Sequence, residues 1–178
     1  MSRGLTEKQR RSTAAEKAWV TRRRRKAIAR KTEQGRSWMW KEYKIHERLD
    51  ECFAQAEPWE FPSNEKGIRR RLKECFPEVT EGIPFQIIPH LPQEMKAPGC
   101  PEFLFVLVRT NNFADRTLEA LDVTRRCDGK VKAILYLTLS WAVNLDQQLA
   151  SVAKIFRDYG VASICRREPV KASPPIYY

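Results

Sequence analysis

Five consecutive basic residues, Arg22-Arg23-Arg24-Arg25-Lys26, make the strongest chemical statement in this chain. A guanidinium is a rigid fork of donors that meets phosphate oxygens two at a time, and it stays charged at any physiological pH. Around the run stand Arg10, Arg11, Lys17, Arg30, Lys31 and Arg36. We read these residues together as phosphate contacts, which release counterions and add affinity whatever the base sequence. Trp40 and Tyr43 follow at once. They fall off the apolar stripe of their own expected helix, so they are expected to stack on the bases of a single strand. The triplet Arg69-Arg70-Arg71 is expected to widen the basic surface, with pairing to Glu65 and Glu74 as its competing use.

Other chemistries are less legible. Glu102, Asp122 and Asp128 stand before apolar runs, where a metal-dependent nuclease would place its cation ligands. No lysine stands two residues beyond an acidic group on a strand to complete such a pattern. Cys100 follows Gly99 in a proline-rich loop, and with His90 it offers a nucleophile and a base. Nearness along the chain says nothing about their geometry. Neither G-x-x-x-x-G-K-[ST] nor G-x-G-x-x-G occurs, and seven glycines leave little material for a phosphate-cradling loop. His46 and His90 are the only histidines, and no C-x-x-C pair exists to hold zinc. The expectation is therefore no catalytic residue, no metal and no cofactor.

The basic excess is localised. Residues 1–49 hold 16 Lys and Arg against 5 Asp and Glu, a net of +11, which is the net charge of the whole chain. Residues 50–178 hold 17 of each. Blocks of like charge repel one another and serve as interaction segments, so the partner should be a polyanion. A membrane-surface helix needs a wide apolar face, and here only Leu5, Trp19, Val20 and Ile28 are available. Arginine outnumbers lysine over residues 1–31, which favours phosphate forks over diffuse attraction. Nucleic acid leads, with RNA and DNA near even. An adaptor whose arm binds an acidic protein is the alternative, and the small nuclease is a second one. A protein partner could also dock on the body.

Composition sets the outer bounds. With 42% hydrophobic and 31% charged residues the chain is neither collagen-like nor wholly disordered. Its longest apolar run, Val131 to Val143, is broken by Lys132, Thr138 and Ser140 and falls short of the ~20 residues of a membrane span. Five cysteines, an odd number, with no secretory leader predict reduced thiols and a cytoplasmic setting. In a eukaryote the Arg22–Lys26 run would suit a nuclear address.

The elements that must position these residues follow from periodicity. Good helix formers without Pro or Gly predict a helix over about 7–33, with Gly35 as its break. A second helix is expected over about 38–56, with Trp38, Ile45, Leu49, Cys52, Phe53 and Ala56 on one face. Pro58–Pro62 reads as a connector. A third helix over about 65–76 should face Ile68, Leu72, Cys75 and Phe76 inward, with Arg69, Arg70, Arg71 and Lys73 mostly outward. Pro84–Leu91 reads as an edge strand and 91–101 as a loop. Phe103–Val108 and Val131–Trp141 read as buried strands, with helices over 113–126 and from about 144 to 159. Gly160 should cap the last helix, and Val161–Cys165 should form a short strand. The fold class is α+β: a basic N-terminal helical arm (1–36) and two amphipathic helices, followed by a small mixed β/α body (37–168). A Pro-containing tail (169–178) completes the chain.

Overall fold

The computed structural model describes residues 7–55, 64–81, 84–90, 99–138, 144–167 and 176–178. The expected connector 58–62, most of the 91–101 loop, the strand end beyond Thr138 and residues 169–175 lie outside the described residues. The architecture is α+β, with a long N-terminal helix, two shorter ones and a parallel sheet crossed by two more.

The sheet is built from apolar runs that have no polar face. β2 (Phe103–Val108) and β3 (Ala133–Thr138) are buried at every position, as strands of a parallel sheet covered on both sides must be. They lie between β1 (Phe85–Ile88) and β4 (Ala162–Arg167), and the four run parallel in chain order. Phe85 pairs with Phe103, Phe103 with Ala133 and Ala133 with Ala162, so the four strands start level. A two-residue strand, β5 (Ile176–Tyr177), adds antiparallel to β4 and gives the end of the expected tail a partner.

Alternation along each strand separates two cores. Leu104, Val106, Ile134, Tyr136 and Cys165 face α4 (Phe113–Arg126) and α5 (Leu145–Asp158), the helices that connect the parallel strands. Phe103, Phe105, Leu135, Leu137 and Ile164 face the N-terminal helices α2 (Ile45–Ala54) and α3 (Glu65–Cys75). This second core is strongly aromatic: Phe76 lies 5.0 Å from Phe105 and Phe85 lies 5.3 Å from it, measured between ring centroids.

Several expectations are corrected here. Gly35 does not break the first helix: α1 runs unbroken over Glu7–Ser37. A Cβ at Gly35 would sit 2.4 Å from the carbonyl oxygen of Lys132, so the missing side chain permits close packing of helix on strand end. The helix expected over 38–56 is two pieces. A π-helical turn, Trp38–Glu42, follows α1, and Lys44 in a left-handed conformation (φ 49°) redirects the chain into α2. The wide turn buries Met39 and lays the Trp38 ring flat on Phe103, 3.9 Å away. The cysteines are not all reduced: Cys100 and Cys127 form a disulfide with their Cα atoms 5.4 Å apart. The crossover through α4 returns the chain to the level at which β2 began, so the residues before β2 and after α4 meet. Cys52, Cys75 and Cys165 are not part of a disulfide. Leu118 faces outward from α4.

Candidate nucleic-acid interface

α1 has two unlike parts. Every residue from 12 to 27 is exposed, and this stretch carries six basic side chains against the single acid Glu16. At about 100° per residue, Arg22, Arg23, Arg24 and Arg25 point to four sides of the helix. That helix has no face it can bury against a protein core, but it can lie between two phosphate walls. Sixteen residues span about 24 Å, and an α-helix fits the width of a DNA major groove. Arg10 and Arg11 belong to the first turns of the same helix.

The last third of α1 docks. Ile28 is half-buried, Thr32 and Gly35 are buried, and the Thr32 hydroxyl donates to the Ile28 carbonyl at 3.0 Å. The surface that receives them follows from the level starts of the strands, which put the turn before β3 beside the turn before β4. Gly35 meets the first at Lys132, and the Lys31 stem meets the second, its Cβ 3.3 Å from where a Cβ of Gly160 would stand. Arg36 donates to the Tyr178 carbonyl at 2.7 Å and pairs with Glu33 at 3.7 Å. Between helix and body lies a cleft of about 190 Å³ whose lining includes Lys31, Gln34, Lys132 and Tyr159. Lys132 continues the basic surface onto the body, although Glu102 partly neutralises it at 2.9 Å.

The structure sorts the expected contact residues. Lys17, Arg22, Arg23, Arg24, Arg25, Lys26, Arg30 and Lys31 present exposed charge on one continuous helix. Arg36 is half-buried and tied to Tyr178. Trp40 stacks on His46 with centroids 4.0 Å apart. Tyr43 packs 3.7 Å from Trp38 and edge-on to Phe85. Both rings are half-buried and pack on neighbours in the body. Arg69 is corrected: it is 5% exposed, donates to the Pro89 carbonyl and pairs with Glu65. Arg71 donates to the Gln55 carbonyl at 2.9 Å and to Glu74 at 2.6 Å, tying the end of α2 to α3. Only Arg70 of the triplet presents an exposed guanidinium, 3.8 Å from Glu74. The α3 triplet thus braces helices, as pairing with Glu65 and Glu74 would have it.

The groups weighed for catalysis stand apart. Glu102 is held by Lys132, and Asp122 and Asp128 are exposed on α4 and in the turn after it. Among the described residues no three His, Cys, Asp or Glu side chains gather to hold a metal ion. Cys100 is committed to Cys127, and His90 hydrogen-bonds with Gln86 at 2.9 Å. His46 has its pKa lowered, first by burial and then by the Arg166 guanidinium, which lies 3.0 Å from its Nδ1; Asp50 opposes the shift. Among the described residues no helix is long and apolar enough to cross a membrane. Comparisons with models of protein families, with curated proteins and with solved structures find no match.

Sequence reasoning missed Trp19. It is 56% exposed on α1, with the Arg23 guanidinium 4.4 Å from its ring centroid. The i, i+4 spacing of Trp19 and Arg23 was the available signal.

Proposed function

We propose that this protein binds nucleic acid through α1 and acts as a non-enzymatic accessory or regulatory factor. The body is the platform that holds the helix. The observation that carries this reading is the solvation of residues 12–27 on every side: six basic side chains on a helical rod, with one acid among them. Such a helix loses little by leaving water for a phosphate lattice and gains the entropy of released counterions. The docked third fixes where the rod leaves the body.

The test is a binding titration of the full chain against duplex and single-stranded oligonucleotides across a salt series. With ~6–8 phosphates engaged, log affinity falls against log salt with a slope of roughly −5 to −7. A flat slope, or binding only to an acidic protein, would contradict the proposal.

A further inference from the structure

Trp19 is the one aromatic side chain in the exposed stretch 12–27 of α1, where Val20 beside it is exposed too. The docking face of the helix is marked by Ile28, Thr32 and Gly35. Trp19 lies nine residues before Ile28, which is about two and a half helical turns and so on the opposite side. Arg22, Arg23 and Lys26 stand three, four and seven residues after it, on its own face. Arg23 already holds its guanidinium over the indole, and more than half of the residue still meets water. Among the described residues outside α1, the exposed large apolar ones, Leu118, Ile155 and Tyr159, sit on α4 and α5 or just beyond them.

An exposed tryptophan among cations, facing away from the body, is a stacking platform inside a phosphate-binding surface. Cations draw the backbone in, and the indole offers a π-face of the kind that any unpaired base can cover. We infer that Trp19, flanked by Arg22, Arg23 and Lys26 on the outer face of α1, stacks on an unpaired base, so that the preferred ligand is a polynucleotide with single-stranded or bulged bases rather than a fully paired duplex. This inference rests on the nucleic-acid reading of α1 and narrows its substrate. The guanidinium of Arg23 and the base would then enclose the indole from two sides, a cation–π contact on one and a stack on the other.

The experiment compares the full chain with Trp19→Leu and Trp19→Phe. Leucine keeps apolar bulk and helix propensity but has no π-face, whereas phenylalanine keeps a ring. Each protein is titrated with one sequence offered as single-stranded DNA, as single-stranded RNA and as a fully paired DNA duplex, at several salt concentrations. For single strands, Trp19→Leu weakens binding about 10-fold and Trp19→Phe recovers most of the loss. For the duplex, both variants match the parent. The salt slope stays unchanged throughout, because no charge is removed. The DNA and RNA arms show which sugar the surface accepts. Unchanged single-strand affinity in Trp19→Leu overturns the stacking role and leaves phosphate binding standing, as does an equal loss on duplex and single strand. Absence of salt-dependent binding in the parent chain overturns both. Helix content of each variant, followed by circular dichroism, is expected to match the parent, because Trp19 belongs to neither core.

Discussion

The first two-thirds and the last third of α1 share one unbroken backbone and differ in everything else. Residues 12–27 are exposed throughout, with local contacts such as Thr21 Oγ1 on the Lys17 carbonyl (2.8 Å) and Arg23 over Trp19. Residues 28–37 press against the turns before β3 and β4 closely enough that Gly35 has no room for a methyl group. The contrast shows how a small fold can display a highly charged helix without burying charge. It docks the end that carries Ile28, Thr32 and Gly35 and leaves the arginine run in water, where desolvation costs nothing until a polyanion arrives.

The comparison can be broken most directly through charge. Reversing Arg22, Arg23, Arg24 and Arg25 to Glu should lower nucleic-acid affinity ~100-fold or more and flatten the salt slope by about 4, with an unchanged melting temperature. A large fall in stability instead would mean that the solvated part packs somewhere.

Next in size is the disulfide, which braces the platform on which the docked third rests. The docking turn, with Gly129 and Lys132, follows Cys127 directly. Cys100→Ser opens a loop closed across 27 residues and should cost about 3 kcal/mol by chain entropy, read from denaturant unfolding under non-reducing conditions. An unchanged midpoint would show that this covalent brace contributes nothing to the platform.

Gly35→Ala sharpens the contrast from the other side. Its Cβ meets backbone, the Lys132 carbonyl oxygen, which cannot yield as a flexible side chain would. A cost of about 2 kcal/mol is expected, with phosphate affinity nearly retained. Alanine in place of exposed Val20, in the solvated part of the same helix, should leave stability nearly unchanged.

His46, stacked on the Trp40 ring just beyond the docked third, carries a smaller effect. Its pKa in the fold lies below the ordinary 6.5, because burial and then Arg166 disfavour the imidazolium. The unfolded chain therefore takes up the proton first as pH falls. Its contribution to stability is full above about pH 6.5 and is lost below that value, down through the depressed pKa. His46→Gln should flatten that part of the stability–pH curve. On stability the smallest effect belongs to deletion of residues 1–27: the melting temperature should stay within a few degrees, although affinity for nucleic acid is lost.

Much of the fold was legible because its signals are local. β2 and β3 announce themselves as unbroken apolar runs, since parallel strands buried on both faces have no polar positions. α4 carries its period from Phe113 to Arg126, and Gly160 with φ 73° caps α5 where only glycine is comfortable. The asymmetry of charge, and with it the class of partner we propose, likewise needs nothing but counting.

What the chain could not announce depended on neighbours far away in sequence. Arg69 and Arg70 are adjacent and chemically identical, yet one is buried against the Pro89 carbonyl and the other stands in solvent. Gly35 carries the same letter whether it ends a helix or admits a close contact. Only the Lys132 carbonyl at the start of β3 decides for contact. Cys100 and Cys127 meet because the α4 crossover returns the chain to the level of its departure. Trp40 stacks on His46 while Trp19 stays in solvent for the same reason. The sequence determines that aromatic rings and arginines share this segment, but which ring packs against the body and which stays in solvent is set by what packs against each face.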